Sequence, residues 1–409
     1  MPHTEPSLPV TGRPSDREGR EGIVSRLTAP GAPFAVVRGE RGTPEYADGP
    51  RTLREFVETT WAYGDAVFLV DGERRWSYGE FFAAASALAV RLSERYGLRP
   101  GDRAVVGTRS LPEWQIAFWG AQLAGLVAVP LDGRRDGRGD GDVLGAVLDD
   151  CAPGVLLVDG EWLERVGEWA ARRGGVRVVL FEGAGHLPGG VRGERYADFP
   201  APDPWAAPPD VEPRPEDDSV ILYGGGAQGA VTTHLAQAGA ALDARYRAAA
   251  AALARGAVPG LGPVPETPVA FPFSHPVALA AVYGAMAAGG SVASAEAEAE
   301  MDADAEGGEA VPYGLEPTPV TEFKVAGPSG EPLPDGEQGR LWVRGQSAPR
   351  GYWRDPDATA EAFDGGWFRT GDLAVRHGDG GRVTVVGRVG ECPIRMAAWG
   401  AAWRVEVAE

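Results

Sequence analysis

The sequence predicts an α/β protein in which a parallel-rich sheet is covered by helices, with a smaller β-rich part after it. Apolar runs of strand length alternate with segments of helical apolar spacing from residue 68 to residue 288. The strand-like runs are continuously apolar, which is typical of parallel strands buried on both faces. After an acidic, low-complexity stretch at 294–310, short strands separated by turn residues replace this alternation.

The first strand–helix unit carries clear local patterns. Residues 68–70 (FLV) predict a strand, and the Asp-Gly pair after them predicts a hairpin turn. Ser77 and Glu80 form a capping box, after which apolar residues recur at helical spacing until Gly97. The alternation of strands and helices then continues at 104–108, 112–123, 127–130, 154–158 and 176–181.

The second half begins with a Pro- and Asp-rich stretch at 200–217, which predicts a linker between subdomains. A buried strand is predicted at 219–223, and it runs directly into a glycine-rich loop. Further helices are predicted at 237–255 and ending at 288. The remaining predicted strands lie at 269–273, 322–325, 341–344, 367–369 and 383–386.

These patterns divide the chain into five segments. They are a flexible N-terminal tail (1–45), an αβ subdomain (46–215), a second αβ subdomain with the glycine-rich loop and the acidic insert (216–310), a β-rich subdomain (311–388) and a short hinge-like tail (389–409). A chain of 409 residues is long enough to build a large core across such subdomains.

Composition excludes several classes of protein. The formal net charge is −19, so the basic footprint that a nucleic-acid binder needs is missing. The two cysteines, Cys151 and Cys392, stand far apart, so neither a disulfide framework nor a zinc site is expected. The first 21 residues are polar and no run reaches the length of a membrane span, so we expect a cytoplasmic protein.

Several motifs in the last quarter carry a family resemblance. Residues 351–356 read GYWRDP, 359–363 read TAEAF and 366–373 read GWFRTGDL, after GRLWVRG at 339–345. Together they closely resemble the adenylate-forming superfamily of acyl-CoA synthetases, adenylation domains and luciferases. WSYGE at 76–80 is similar to the N-terminal subdomain of acyl-CoA synthetases. The resemblance implies the N-terminal domain fold of that superfamily, with stacked αβ subdomains and a small β-rich subdomain.

The resemblance also implies an activity. In the family, a carboxylate attacks the α-phosphate of ATP in the presence of Mg²⁺, which gives an acyl-adenylate and pyrophosphate. A thiol of CoA or of a carrier protein then takes the acyl group. The implied ligands are therefore ATP or AMP, Mg²⁺ and a small carboxylic acid or its acyl-adenylate, and the implied partner is an acyl carrier protein.

By resemblance, four residues form the adenosine end of the site. Asp372 accepts hydrogen bonds from the ribose hydroxyls of AMP, and Arg388 reaches the same ribose or a phosphate. Tyr313 stacks on adenine and Gly314 follows it in a shortened form of the adenine-site motif. Outside the family, an Asp in a Thr-Gly-Asp turn commonly caps its own backbone, and an isolated Arg commonly forms a surface ion pair.

Two further residues are assigned by resemblance to the reacting groups. Glu316 corresponds to the catalytic carboxylate that binds magnesium, although the usual preceding Thr is missing and Pro317 follows. His275 matches the motif beside the acyl pocket. A histidine before a proline is also compatible with an ordinary packed position in the core.

The phosphate loop departs from the family pattern, which is rich in Ser, Thr and Gly and includes a Lys. Residues 224–234 read GGGAQGAVTTH, so the loop hydroxyls and the lysine are missing. The backbone of Gly224, Gly225, Gly226 and Gly229 can still form an anion-binding nest, but it supplies neither a cation nor a hydroxyl. Losing two or three charged hydrogen bonds to the phosphates costs about 3–9 kcal/mol.

Other parts of the family pattern are also missing. The acidic stretch stands in place of a segment that forms much of the acyl pocket, no lid domain is expected after Gly387-Arg388, and no lysine follows Lys324. The sequence therefore predicts an acyl-CoA synthetase-like ligase with weakened or altered catalysis. The alternative is a catalytically inactive pseudoenzyme that binds a nucleoside, an acyl group or a carrier protein. A decaying gene product is a third hypothesis, and the intact motif at 366–373 argues against it.

Overall fold

The computed structural model describes residues 16–40, 42–131, 141–182, 187–223, 227–269, 273–294, 313–378 and 381–388. The α-helices within these residues are α1 (Asp16–Thr28), α2 (Leu53–Thr59), α3 (Tyr78–Val90), α4 (Leu111–Leu123), α5 (Gly141–Cys151), α6 (Gly160–Arg173), α7 (His234–Ala254), α8 (Pro276–Ala287) and α9 (Pro356–Ala362). Shorter helical turns are the 3₁₀ turns Thr60–Tyr63 and Tyr196–Asp198 and the π turn Arg91–Arg95.

The strands fall into four sheets. In chain order they are β1 (Val36–Arg38), β2 (Pro44–Tyr46), β3 (Val67–Asp71), β4 (Arg74–Ser77), β5 (Arg103–Gly107), β6 (Val127–Pro130), β7 (Val155–Val158), β8 (Arg177–Leu180), β9 (Arg192–Arg195), β10 (Asp218–Tyr223), β11 (Gly229–Thr233), β12 (Glu266–Val269), β13 (Ser291–Ser294), β14 (Tyr313–Leu315), β15 (Thr321–Ala326), β16 (Gln338–Gly345), β17 (Gly351–Tyr352), β18 (Phe363–Asp364), β19 (Trp367–Arg376) and β20 (Val383–Arg388).

The largest sheet has eight strands in the order β17-β11-β10-β6-β5-β7-β8-β9. From β10 to β9 all neighbours run parallel, whereas β11 and β17 add antiparallel strands at one edge. The strands β6 and β7 are buried along their whole length, as expected for strands covered by helices on both faces. The predicted parallel-rich αβ architecture is therefore confirmed.

Two smaller sheets complete the architecture around α7 and α8. One has the order β12-β13-β3-β4, with β12, β13 and β3 parallel. The other is antiparallel and runs β14-β20-β19-β16-β15, with β18 paired to β19. Strands β1 and β2 form a separate two-stranded ribbon.

The sheets cross the segment boundaries drawn from the sequence. The eight-stranded sheet joins strands of segment 46–215 to β10 and β11 of segment 216–310 and to β17 of segment 311–388. The four-stranded sheet likewise pairs β13 with β3. Composition marks the linker at 200–217, which has no regular structure, but strand pairing depends on residues far apart in the chain. The predicted N-terminal tail to residue 15, the acidic insert from 295 to 312 and the hinge-like tail from 389 lie outside the described residues.

Helix α4 occupies the centre of the apolar core. Every residue of α4 is buried, and Trp114, Phe118 and Trp119 are among the bulky side chains that fill the space between the sheets. The ring of Trp114 stacks on Phe118 with centroids 5.1 Å apart, and Trp119 meets Phe118 edge to face. A predominantly apolar helix that is buried on all sides belongs in such an interior position, and its polar residues Gln115 and Gln122 have hydrogen-bond partners there.

A fully buried carboxylate joins three remote parts of the chain. Asp243, on α7, accepts hydrogen bonds from the hydroxyls of Tyr46 (2.7 Å), Thr321 (3.2 Å) and Ser347 (3.3 Å). These donors belong to β2, to the start of β15 and to the turn after β16. The Asp243 cluster, defined by these four residues, therefore holds the ribbon and the antiparallel sheet against α7.

The negative charge of Asp243 is offset by the positive charge of Arg247, which is also buried. Burial raises the pKa of Asp243, while the Arg247 guanidinium one turn further along α7 and the hydroxyl donors oppose that increase. Burial lowers the pKa of Arg247, and the charge of Asp243 opposes that decrease. Removing one member of a buried pair of charges leaves the other uncompensated, which is strongly destabilising.

We predict that Asp243→Ala lowers the free energy of unfolding by about 3 kcal/mol, because it leaves three hydroxyls without their acceptor and removes the negative charge that offsets the buried guanidinium of Arg247. Asp243→Asn retains an acceptor oxygen and should lie between the wild type and Asp243→Ala. Urea unfolding followed by circular dichroism measures the effect. The control is Glu164→Ala on the exposed side of α6, where a change within about 0.5 kcal/mol is expected. An Asp243→Ala protein as stable as this control would contradict the prediction.

Candidate functional site

The candidate site is built around the hairpin of β10 and β11. The strand β11 was not predicted, because the loop was expected to run directly into a helix. Tyr223 pairs with Gly229, so the glycine-rich loop closes this hairpin. The predicted loop residues 224–226 lie outside the described residues. Gly229 has a packing role, because a Cβ there would come within 2.4 Å of the Ile221 side chain and 2.7 Å of Tyr223.

The GYWRDP motif attaches the hairpin to the rest of the site. Its strand β17 pairs with β11, and the Trp353 backbone N–H donates to the Gly229 carbonyl at 2.7 Å. Asp355 caps α9 by accepting from the Ala358 N–H at 2.9 Å, and its second oxygen accepts from the Gln228 side-chain amide at 3.1 Å. These contacts hold the mouth of the hairpin, the end at Gln228 and Gly229, against the start of α9.

The end of the loop motif leads into the N-terminus of α7. Thr233 caps this helix by accepting from the Ala236 N–H at 3.2 Å. His234 is buried, and its Nδ1 faces the Leu53 N–H at 3.4 Å. Burial lowers the pKa of His234 to about 4, against the opposing charges of Asp217 and Asp218. His234 is therefore neutral at pH 7 and connects α7 to α2.

The Thr-Gly-Asp segment lies inside strand β19. Gly371 adopts φ +78°, a conformation that strains an L side chain, so glycine is required between Thr370 and Asp372. The Asp372 carboxyl group is buried, and the Asp372 N–H donates to Thr370 Oγ1 at 3.1 Å. Asp372 pairs directly with Arg388 across β19 and β20. The structure thus brings together the two residues assigned to the ribose.

A cleft of about 300 Å³ opens beside Gly371. Its lining includes Arg340 and Arg369, which are exposed residues of β16 and β19. It also includes Gln228, from the mouth of the hairpin, and Glu361, from α9. The cleft therefore lies between the predicted phosphate loop and the Thr-Gly-Asp strand. Its volume is at the lower end of the range for small-molecule sites.

The other residues of the predicted adenine motif lie further along the antiparallel sheet. Tyr313 and Gly314 belong to β14 and pair with Val385 and Thr384 of β20. Glu316 follows β14 and is exposed to solvent.

The register separates Glu316 from Asp372. Leu315 pairs with Val383, and Val383 pairs with Arg376. Arg376 lies four residues from Asp372, or about 14 Å along the strand. The structure does not bring Glu316 to the ribose residues.

His275 immediately precedes α8, and the adjacent Pro276 lines one small cavity with Leu222 of β10. Its carbonyl accepts the backbone N–H groups of Ala278 (2.9 Å) and Leu279 (3.3 Å). The cavity between α7 and α8, beside the neighbouring Pro276, has about 10 Å³. This space corresponds to about one water molecule.

Within the described ranges, no group of three or more His, Cys, Asp or Glu side chains is arranged to hold a metal ion. Every helix in the part of the chain that the structure covers is too short or too polar to cross a membrane.

Sequence reasoning did not identify Arg340, Arg369, Tyr352 or Glu361 as members of the site. Arg340 and Arg369 alternate with buried residues on two strands, a pattern that is typical of any exposed sheet face. Only the pairing of β16 with β19 and the position of α9 show that these side chains share one cleft.

Comparison with known sequences identifies the family. A family model described as AMP-binding enzyme matches residues 56–308, more than half of the chain. Feruloyl-CoA synthase from Amycolatopsis sp. is 50% identical over 64 residues, which are 16% of this chain and 13% of that protein. A long-chain-fatty-acid–CoA ligase from Haemophilus influenzae is 42% identical over 59 residues, 14% of this chain and 10% of the ligase. The matched segments thus span only a small part of these relatives.

Comparison with solved structures supports the fold. ATP-bound MatB from Rhodopseudomonas palustris superposes with a TM-score of 0.62 at 20% identity, covering 81% of this chain and 78% of MatB. The fold of this chain is therefore that of the N-terminal domain of adenylate-forming enzymes.

We predict that His234 makes stability fall at acidic pH. The unfolded chain binds a proton on this side chain below about pH 6.5, whereas the folded protein does so only below about 4. Acidification between these values therefore favours unfolding, by up to about 3 kcal/mol.

The matched variant is His234→Asn, which retains an acceptor for the Leu53 N–H but does not titrate. Urea unfolding of both proteins should be measured from pH 4 to pH 8. The difference in unfolding free energy between wild type and variant should change below pH 6.5 and stay constant above it. Parallel curves over the whole range would contradict the assignment of the acid sensitivity to His234.

Proposed function

The chain belongs to the AMP-binding enzyme family, and from this premise we propose that it binds AMP or an acyl-adenylate at the Thr-Gly-Asp strand. One observation carries the proposal. Asp372 and Arg388 are paired on adjacent strands, and Gly371, next to Asp372 in the chain, lines a cleft of about 300 Å³ whose lining includes Gln228 at the hairpin mouth. A carboxylate accepts both hydroxyls of a ribose through charge-assisted hydrogen bonds, and a neighbouring arginine suits the phosphate.

The residues around this position fit a nucleotide. The backbone at Gly371 has no side chain to obstruct the cleft, and its positive φ turns the strand at the point where Asp372 begins. The Gln228 amide marks the end of the glycine-rich loop on the other side of the same cleft. A nucleoside held at Asp372 therefore has its phosphates within reach of the loop.

The proposed reaction is ATP-dependent activation of a carboxylic acid. The acid oxygen attacks the α-phosphorus of ATP, an acyl–phosphate bond forms and pyrophosphate leaves. A thiol of CoA or of a carrier protein then attacks the acyl carbon, and AMP leaves. The relatives support a CoA acceptor, since a feruloyl-CoA synthase and a long-chain-fatty-acid–CoA ligase are among them.

Glu316 alone does not provide a binding site for magnesium. Glu316 is a single exposed carboxylate that the strand register places away from Asp372. One carboxylate does not form a protein-held site for a cation that prefers six oxygen ligands. No step is therefore assigned to a metal held by Glu316.

A second candidate function is binding without adenylation, and the loop sequence favours it. The segment GGGAQG at 224–229 has no lysine and no hydroxyl side chain. In that case the chain holds a nucleoside, an acyl group or a carrier protein without transferring an acyl group. Isotope exchange between pyrophosphate and ATP, measured with a broad panel of carboxylic acids, separates the two functions. Exchange that depends on an acid supports the ligase, whereas AMP binding without exchange supports the alternative.

We predict that Asp372→Ala weakens AMP binding by about ten- to a hundredfold, because the ribose loses charged hydrogen bonds worth about 1.5–3 kcal/mol. Titration calorimetry in the absence of magnesium measures the effect. Asp372→Asn retains an acceptor and should lose less affinity. The control variant is Glu337→Ala, an exposed residue just before β16. Thermal unfolding checks that each variant is folded. Equal AMP affinities in the wild type and in a folded Asp372→Ala protein would refute the ribose assignment.

A further inference from the structure

The cleft beside Gly371 has more positive charge than its surroundings. The chain as a whole has a net charge of −19. Yet two guanidinium groups, of Arg340 and Arg369, line this one cleft, and Glu361 is the one carboxylate among the described residues that line it. A local excess of positive charge in an acidic protein attracts anionic ligands to that position.

The two arginines are available to a ligand to different degrees. Within the residues that the structure describes, Arg340 takes part in no ion pair or side-chain hydrogen bond. Arg369 lies 3.6 Å from Asp364 and over the ring of Trp342, 4.9 Å from its centre. Both side chains are exposed, so an anion entering the cleft can contact them without a large rearrangement.

No lysine side chain is available to place a positive charge beside the glycine-rich loop. Lys324 is the only lysine among the 409 residues. Its ammonium lies 3.8 Å from the centre of the Trp342 ring and donates to the Gly330 carbonyl at 3.3 Å. These contacts hold Lys324 on the sheet face formed by β15 and β16, and it is not part of the cleft lining. Any cation beside the loop must therefore be an arginine.

We propose that Arg340 and Arg369 bind the phosphate groups of the nucleotide and replace the cation that the glycine-rich loop lacks. This inference rests on the proposed nucleotide-binding function and adds the residues that recognise the polyphosphate. Gly371, which lines the cleft, precedes Asp372 in the chain, and Gln228, which also lines it, belongs to the segment that follows the loop glycines, so the phosphates of a bound nucleotide can reach both arginines in this cleft. Guanidinium groups suit this role, because each offers paired N–H donors to phosphate oxygens.

The cleft predicts a preference for ligands with several phosphates. ATP gains contacts with both arginines, AMP gains fewer, and adenosine gains none. The advantage of ATP over adenosine should decrease as salt concentration rises, because exposed charges are screened at high ionic strength. A glycine nest alone would leave a similar but smaller preference that is independent of either arginine.

The test measures the affinities of ATP, AMP, adenosine and inorganic tripolyphosphate by titration calorimetry. Arg340→Gln and Arg369→Gln should each weaken ATP and tripolyphosphate by about tenfold, which corresponds to about 1.4 kcal/mol. Neither variant should change the affinity for adenosine. Arg369→Lys retains the charge and should preserve most of the ATP affinity. The matched control is Arg75→Gln, an exposed strand arginine on the four-stranded sheet, which should leave all four affinities unchanged.

The outcomes separate this inference from the proposed function. If ATP binds the wild type and both folded Gln variants equally, Arg340 and Arg369 do not bind the phosphates. If the wild type binds neither ATP nor tripolyphosphate, the inference is also overturned. If tripolyphosphate binding depends on the arginines but adenosine does not bind at all, the anion cleft stands and the proposed nucleoside site fails. Thermal unfolding of each variant excludes loss of structure as the cause.

Discussion

The buried carboxylate of Asp243 is the constraint on which the arrangement of the site depends. It takes hydroxyl donors from β2, from the start of β15 and from the turn after β16, while it stays on a helix that packs in the αβ core. The antiparallel sheet is thereby held at a set position relative to α7. Since β10 and β11 precede α7 directly, the hairpin mouth and the Thr-Gly-Asp strand are held in position relative to each other by the same contact. A buried hydrogen-bonded charge suits this role, because few alternative packings satisfy it.

The GYWRDP motif provides the second connection between these parts. It adds β17 to the edge of the eight-stranded sheet and begins α9, so one short segment contacts both the hairpin and the cleft. The motif that gave the strongest family resemblance therefore has a structural explanation in this protein. Its Asp355 caps the first turn of α9 and also accepts a hydrogen bond from Gln228, which lies between β10 and β11.

In the proposed site, arginine side chains supply the positive charge that the segment 224–229, with no lysine and no hydroxyl side chain, does not supply. Thirty-nine basic residues are present, and only one of them is a lysine, which is occupied by Trp342 and a backbone carbonyl. The arginines that face the cleft come from strands far from the loop in sequence. In the proposed site, Arg340 and Arg369 of the neighbouring sheet bind the phosphates, and Asp372 and Arg388 bind the ribose.

The sequence by itself determined the local elements and the family. Apolar periodicity predicted the parallel strands and the helices α3, α4 and α7, because these features depend on neighbouring residues, and the motif around Thr-Gly-Asp carried the family resemblance. Only the tertiary structure decided that β11 forms a hairpin with β10, that Glu316 lies away from Asp372, and that Arg340 and Arg369 share one cleft with Gln228. The physical reason is that these three outcomes depend on strand register and on packing between residues that are far apart along the chain. No local sequence pattern predicts such contacts. An exposed arginine on a strand fits the same alternating pattern whether or not it faces a ligand.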